Sequence, residues 1–475
     1  MILIVSIGIY LLSNIAIGAW AARRVTTTQD FVLAGRGLSL ALATSVTFAT
    51  WFGSESIMGA PAKFVEAAPK GGVLSIIEEP FGSALCLFLV GAFFARPLYN
   101  EGITTFSDYF RVRYGRSAEL MSAIIVIPSY FSWIAAQYIA IGIVLNVVIG
   151  IPMAWGIVVS ASIVMIYTLL GGMWSISITD FLHNLIIILA LVVLAVVLYP
   201  QVGGIGGVVA RMPEGFFQFL PSSTPAEAGQ APRVGQGYGW ATYLAAWMTI
   251  GLGSIPQQDI FQRVMSAKSA TVSVRASYLA SGLYLTVAAL PLFIAVAARL
   301  LHPDLAGADE QSRQLIIPNM VMRHGSLPLQ ILFFGALTSA ILSVSSGAIL
   351  APATVFGENI VKFFRPNLTD VRLLHTIRWA IVVISVICVG MTLGRSTSIF
   401  DLVGESSAFS LVSLFIPLAA GIYWKRANLP GCLWSITLGF GVWILCLWLG
   451  TSFPPMLWGL IASTIGMVGG SLSAK

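Results

Sequence analysis

The chain has 475 residues, 57% of them apolar and 9% charged, with a formal net charge of +6. A soluble domain carries roughly 25% charged residues, so a water-soluble fold of this length could not cover its surface. The small basic excess is spread along loops rather than gathered in a run, which argues for membrane orientation and against a nucleic-acid partner.

Apolar stretches of about 20 residues recur along the chain, the length that crosses a bilayer as helix. Backbone groups in lipid must be bonded internally, which leaves helices or closed barrels. Period-two alternation is absent, so the fold class is an all-α integral membrane protein. In chain order the pattern predicts thirteen spans, at 2–22, 38–62, 72–96, 118–148, 151–172, 176–199, 237–262, 271–300, 327–361, 373–393, 397–423, 431–450 and 453–472. The first is long enough to span and lacks a basic leader, so no cleavable signal is expected. The longer connections are 97–117, 200–236 and 301–326, the second rich in Gly, Pro and Ser. The chain reads as a single transporter-sized domain, 1–475, without a soluble module. With the N-terminus outside, the cytoplasmic side receives seventeen Lys and Arg and the outer side eight, Arg24, Arg263 and Lys475 among the former and Arg233, Arg313 and Arg395 among the latter. That asymmetry places the C-terminus inside, as an odd number of spans requires.

Two spans carry helix breakers. The second has Gly53, Gly59 and Pro61, with Ser54, Glu55 and Ser56 between them; the seventh has Gly251, Gly253, Ser254 and Pro256. Glycine weakens a helix and proline removes a hydrogen bond. Backbone freed at mid-membrane is tolerated where protein or a wet cavity receives it, which points to an ion or solute site; a plain kink is the alternative. The two breaks open successive groups of five spans, 38–199 and 237–423. Five is odd, so the second group is inverted, the pattern of a transporter with a central site. The helix 2–22 and the pair within 431–472 lie outside this core.

Polar residues fall where they are costly. Asp180 lies in WSISITDFLHN, where a carboxylate needs a partner or water; it reads as a cation or proton ligand or as an interfacial residue, with His183 a candidate partner. Ser343 and Ser346, in TSAILSVSSGA, share a helix face and offer hard oxygens, or else allow close helix packing. Glu55, Glu78, Glu79, Asp259 and Glu405 read as balances for a cationic solute, members of a proton relay, or vestibule residues. Trp51 adjoins the first break and Trp133 lies mid-span, so both read as aromatic faces toward a solute or as packing anchors. Cys86, Cys388, Cys432 and Cys446 lie in apolar runs without metal-like spacing and read as buried hydrophobes. No nucleophile triad, phosphate loop or metalloprotease motif is present, so the chain is not expected to be an enzyme.

The stretches DFVLAGRGLSL and FATWFGSESIMGAPA, followed by FFARPLYNEGITTFSDYFRVRYG, YTLLGGMWSISITD, IPQQDIFQRVMSAKSA and TSAILSVSSGAILAPATVFGENI, resemble the sodium:solute symporters over roughly residues 28–425. The resemblance implies a LeuT-type core of inverted five-helix repeats working by alternating access in the plasma membrane, a functional monomer, and Na+ as coupling ion. Carried over by position, a sodium site takes the carbonyls of Ala49, Phe52 and Ala340 and the hydroxyl of Ser343; Val344 stands where a second hydroxyl is common. A second cation site takes Asp180 and Ser346, with Gly347 where another hydroxyl is expected. Trp51 and Trp133 match two members of the aromatic cage of choline-type relatives, while the third falls on Gln257. Gln257 and Gln137 instead suit hydrogen bonding to a polar solute such as an amino acid or amine. The expected function is sodium-coupled import of a small polar organic solute; the alternatives are proton coupling and a transporter-like solute sensor. The sensor reading is the weaker, since no cytoplasmic output module follows the core.

Overall fold

The computed structural model describes residues 2–23, 27–67, 70–221, 239–307, 309–393 and 398–473. Arg24, Arg233, Arg395 and Lys475, which enter the charge tally, and most of the Gly/Pro/Ser-rich connection lie outside the described residues. Those described form helices, turns and a single isolated bridge between Leu38 and Ala267, with no β-strand among them.

Helix α1 (Ile2–Ala22) packs on the central helices from outside. The second expected span is interrupted: α2 (Leu40–Phe48) stops, Ala49–Gly53 leave the helix, and the chain resumes through a wide π-helical turn at Glu55–Gly59 into α3 (Ala60–Phe64). Gly59 and Pro61, read from sequence as breakers, sit inside the resumed helix. Pro61 follows the π-helical turn directly, within one continuous helical stretch from Ser54 to Phe64. A β-carbon on Gly59 would lie 3.2 Å from the Phe400 backbone nitrogen, so that glycine serves close packing.

Helix α4 (Val73–Asn100) begins irregularly, with Glu79 extended at φ −141°, ψ 116°, an interruption the apolar pattern does not show. Helix α5 (Phe106–Tyr114) starts with a capping box in which Thr105 Oγ1 accepts from the Asp108 N–H and Asp108 Oδ2 accepts from the Thr105 N–H. Then come α6 (Arg116–Ile149), α7 (Met153–Leu169) and α8 (Gly172–Leu198). Gly172 adopts φ 52°, ψ −150° between the last two, and a β-carbon there would lie 2.4 Å from the Phe31 carbonyl oxygen. Only glycine fits both the torsion and the space.

The seventh expected span is also interrupted, into α9 (Trp240–Gly253) and α10 (Gln258–Ser266). The break is Ser254–Gln257, around Pro256. Gly251 and Gly253 remain helical, and a β-carbon on Gly253 would lie 2.3 Å from the Ser407 carbonyl oxygen. Helices α11 (Ala270–Leu301), α12 (Leu327–Phe364), α13 (Asp370–Thr392), α14 (Ile399–Tyr423), α15 (Leu429–Leu449) and α16 (Pro455–Ser473) follow. Among the described residues nine helices are long and apolar enough to cross a membrane: α4, α6, α8 and α11 to α16. The other four spans assigned from sequence correspond to α1, the shorter α7 and the two interrupted helices.

Burial separates core from perimeter. Every residue of α12 from Phe333 to Val355 is buried. On α8, Leu185, Leu189, Val193 and Val196 are exposed, as are Trp379, Val383 and Val386 on α13, a pattern that suits hydrocarbon contact. All four cysteines are buried and free. Arg263 and Arg313, counted from sequence as loop charges, are 2% and 7% exposed. Helix α2 packs on α11, α9 on the start of α4 and on α14, and α12 on α6, α7 and α8, so both breaks are enclosed by the bundle.

Candidate functional site

The first break turns a run of polar side chains inward. Glu55 is 2% exposed, and its Oε1 accepts hydrogen bonds from Trp133 Nε1 and from Gln137 Nε2, the latter at 2.8 Å. Ser54 Oγ donates to Gln137 Oε1 at 2.9 Å and lies 3.3 Å from Glu55 Oε2. Trp133 and Gln137 are four apart on α6 and so share a face. At the next residue, Ser56 Oγ donates to Glu79 Oε1 at 2.5 Å. Ser83 Oγ and Tyr284 OH also donate to Glu79, and the two hydroxyls of Ser56 and Tyr284 are 2.7 Å apart. Taking a carboxylate out of water costs several kcal/mol. Here it is offset by hydrogen bonds to a charged group, worth about 1.5–3 kcal/mol each, and neither acid has Lys or Arg within ion-pair distance among the described residues.

The structure therefore groups Trp133 and Gln137 around Glu55, a residue the sequence marked at the first break and among acids for solute balance, proton relay or a vestibule. Trp51 is buried in the break, its carbonyl accepting from the Gly53 N–H at 2.8 Å and Ser56 Oγ at 3.4 Å. Gln257, in the second break, is 2% exposed and donates from Nε2 to Ser406 Oγ of α14 at 3.4 Å. Beside it, Ser254 and Ser407 hydroxyls are 2.9 Å apart.

Oxygens suited to a small cation lie beside the first break. The carbonyls of Ala49 and Phe52 accept no backbone hydrogen bond outside regular helix among the described residues. Helix α12, which carries Ala340 and Ser343, passes close by: a β-carbon on Gly53 would lie 3.2 Å from Val344 Cγ2. Ser343 Oγ is buried and without a hydrogen-bond partner. It neighbours the Asp180 carboxyl of α8 and the Tyr167 hydroxyl of α7, and Tyr167 OH is itself 2.6 Å from Thr179 Oγ1. An orphaned hydroxyl and unclaimed carbonyls are the donor chemistry a hard monovalent cation takes. Ser346 differs: its hydroxyl accepts from Thr168 Oγ1 at 2.8 Å. Asp180 thus sits by Ser343; the resemblance grouped it with Ser346, three residues on along the same face.

A second polar cluster surrounds α10. Tyr130 OH donates to Asp259 Oδ1 at 2.5 Å and accepts from the Asp259 N–H at 2.9 Å. Arg263 Nη1 donates to the Asp259 carbonyl at 3.0 Å. Gln258 Oε1 accepts from the Phe106 N–H at 2.6 Å. Sequence reasoning missed Tyr130, Arg263 and Tyr284, because each acts through a partner 129 or more positions away or, for Arg263, through a gap in a neighbouring helix.

The model of the sodium:solute symporter family matches residues 31–439. Among relatives, the chain is 28% identical to the human high affinity choline transporter 1, over 90% of this chain and 74% of that one. It is 30% identical to the Torpedo marmorata high-affinity choline transporter 1, over 92% and 75%. It is 25% identical to the osmoregulated proline transporter OpuE of Bacillus subtilis, over 93% and 88%. In fold it is similar to a substrate-bound, outward-open Na+-coupled sialic acid symporter, with TM-score 0.82 at 19% identity over 100% of this chain and 97% of that one. It is also similar to the nucleobase-cation-symport-1 family transporter Mhp1 in a closed, ligand-bound form, with TM-score 0.58 at 14% identity and 93% coverage of both.

Proposed function

We propose, from the premise that the chain belongs to the sodium:solute symporter family, that it imports a small polar organic solute across the plasma membrane in symport with Na+. The observation that carries this reading is the interrupted helix at Ala49–Gly53, where the Ala49 and Phe52 carbonyls accept no backbone hydrogen bond outside regular helix among the described residues, with α12 passing beside Gly53 and burying a Ser343 hydroxyl without a partner. Sodium would take the carbonyls of Ala49, Phe52 and Ala340 with Ser343. Solute would lie by Trp51, Trp133, Gln137 and Gln257, with Glu55 fixing the first-break face of that site. Choline and proline are named for relatives; the Gln257 position, lacking a third ring, suits a solute that accepts or donates hydrogen bonds, an amino acid or an amine.

The helices 38–199 and 237–423 are read as the inverted repeats, with the N-terminus outside, the C-terminus cytoplasmic, and one chain sufficient for transport. Sodium binding joins the first break to α12, and an ion shifts a conformational equilibrium only by its differential affinity for the two states. A site assembled from two elements is intact in the state that holds them together, so filling it favours the state able to take up solute. Closure over both and release inside complete the cycle.

Purified protein in proteoliposomes is expected to take up solute, from a panel of amino acids and amines, only with an inward sodium gradient. Uptake indifferent to sodium would overturn the reading. Proton-driven uptake would support a second reading, favoured by Glu55 and Glu79, two buried acids held by neutral donors alone.

A further inference from the structure

Arg263 is a buried cation that sodium-coupled symport, as derived above, does not use. Its guanidinium forms no ion pair within 4.0 Å among the described residues. Nη1 is held by the Asp259 carbonyl of its own helix, and Nε is buried without a partner. Nη2 occupies a gap in α12: a β-carbon on Gly347 would lie 2.7 Å from it. Any side chain at 347 would displace the guanidinium, so glycine at this position and arginine at 263 are one arrangement. Asp259, four residues back on the same helix, presents a buried Oδ2 without a hydrogen-bond partner, and Asp180 of α8 is buried as well.

Gly347 is also the position at which a second cation site would need a hydroxyl. The structure does not merely lack that ligand; it fills the ligand's space with a fixed positive charge. The remaining hydroxyl of that site, Ser346, is engaged by Thr168. Like charges a few ångström apart in a low-dielectric interior repel strongly, and a buried arginine needs negative partners near it.

We propose that Arg263, seated in the space Gly347 leaves, holds the second cation position as a tethered charge, so that this position takes no ion from solution and the chain binds a single sodium ion. The proposal rests on the sodium-coupled reading and refines its stoichiometry. Asp180 then ligates no ion of its own.

Equilibrium binding of radioactive sodium to the purified full chain tests this without knowledge of the solute. The wild type is expected to saturate at one ion per chain. Arg263→Gln combined with Gly347→Ser removes the tethered charge and restores a hydroxyl, and is expected to double the bound sodium. Two ions on the wild type, or an unchanged single ion on a folded double variant, would overturn the proposal. If the double variant does not fold, the wild-type count alone decides. No bound sodium on the wild type is a different outcome, which removes the sodium-coupled reading itself.

Discussion

Ser343 and Val344 are neighbours on one helix with different environments, and this makes them a matched test of the cation site. The Ser343 hydroxyl is buried with its hydrogen-bonding capacity unspent, whereas Val344 packs its methyl groups against Gly53. A hydroxyl oxygen facing an ion contributes on the scale of a hydrogen bond to a charged group, about 1.5–3 kcal/mol. Ser343→Ala should therefore weaken apparent sodium affinity about tenfold or more, at roughly 1.4 kcal/mol per decade, measured by sodium titration of binding or uptake. Val344→Ala should shift it far less. Equal and negligible effects would place the cation elsewhere. At this scale the sequence showed which residue types stand at the break, and the resemblance pointed to Ser343, Trp133 and Gln137 as candidates. Glu55 was visible but not its role, because that role is set by Trp133 and Gln137, about eighty positions away. The pairing of Glu79 with Tyr284, 205 positions apart, leaves no local pattern at all.

Among the elements, the helix pair α15 and α16 packs by backbone approach against the Leu411–Phe415 turn of α14. A β-carbon on Gly439 would lie 1.9 Å from the Val412 carbonyl oxygen, while one on Gly441 meets nothing within 4 Å. Both substitutions to alanine gain the same helix propensity, so the difference between them isolates packing. Gly439→Ala should destabilise the fold by about 1–3 kcal/mol, the usual cost of overpacking, read as a lowered unfolding midpoint in detergent. Gly441→Ala should leave it unchanged or slightly raised; equal midpoints would mean that the close approach is not needed. The same distinction explains the misplaced breakers. Gly59, Gly251 and Gly253 looked like interruptions in sequence, yet they sit in helix and are small because a neighbouring segment lies against them. Glycine signals either freedom or proximity, and only the packed bundle tells which.

For the molecule as a whole, the orientation we propose rests on the loop charges. Arg263 and Arg313 leave the tally because both are buried, and the bias becomes sixteen against seven, still toward the N-out arrangement. A reporter fused after Lys475 that fluoresces only in the cytoplasm should light up, and a phosphatase active only outside should stay silent there; the converse would invert the topology and with it the direction assigned to the site. Composition, the spacing of apolar runs and the two breaker clusters by themselves determined a helical membrane protein with paired interruptions, because solvation by lipid acts on every residue locally and leaves a periodic record. The tertiary structure decided what the interruptions meet. Which carbonyls go unclaimed, which acid meets which donor, and whether an arginine faces a loop or fills the gap beside Gly347 depend on contacts between distant segments, and a one-dimensional pattern carries no term for them.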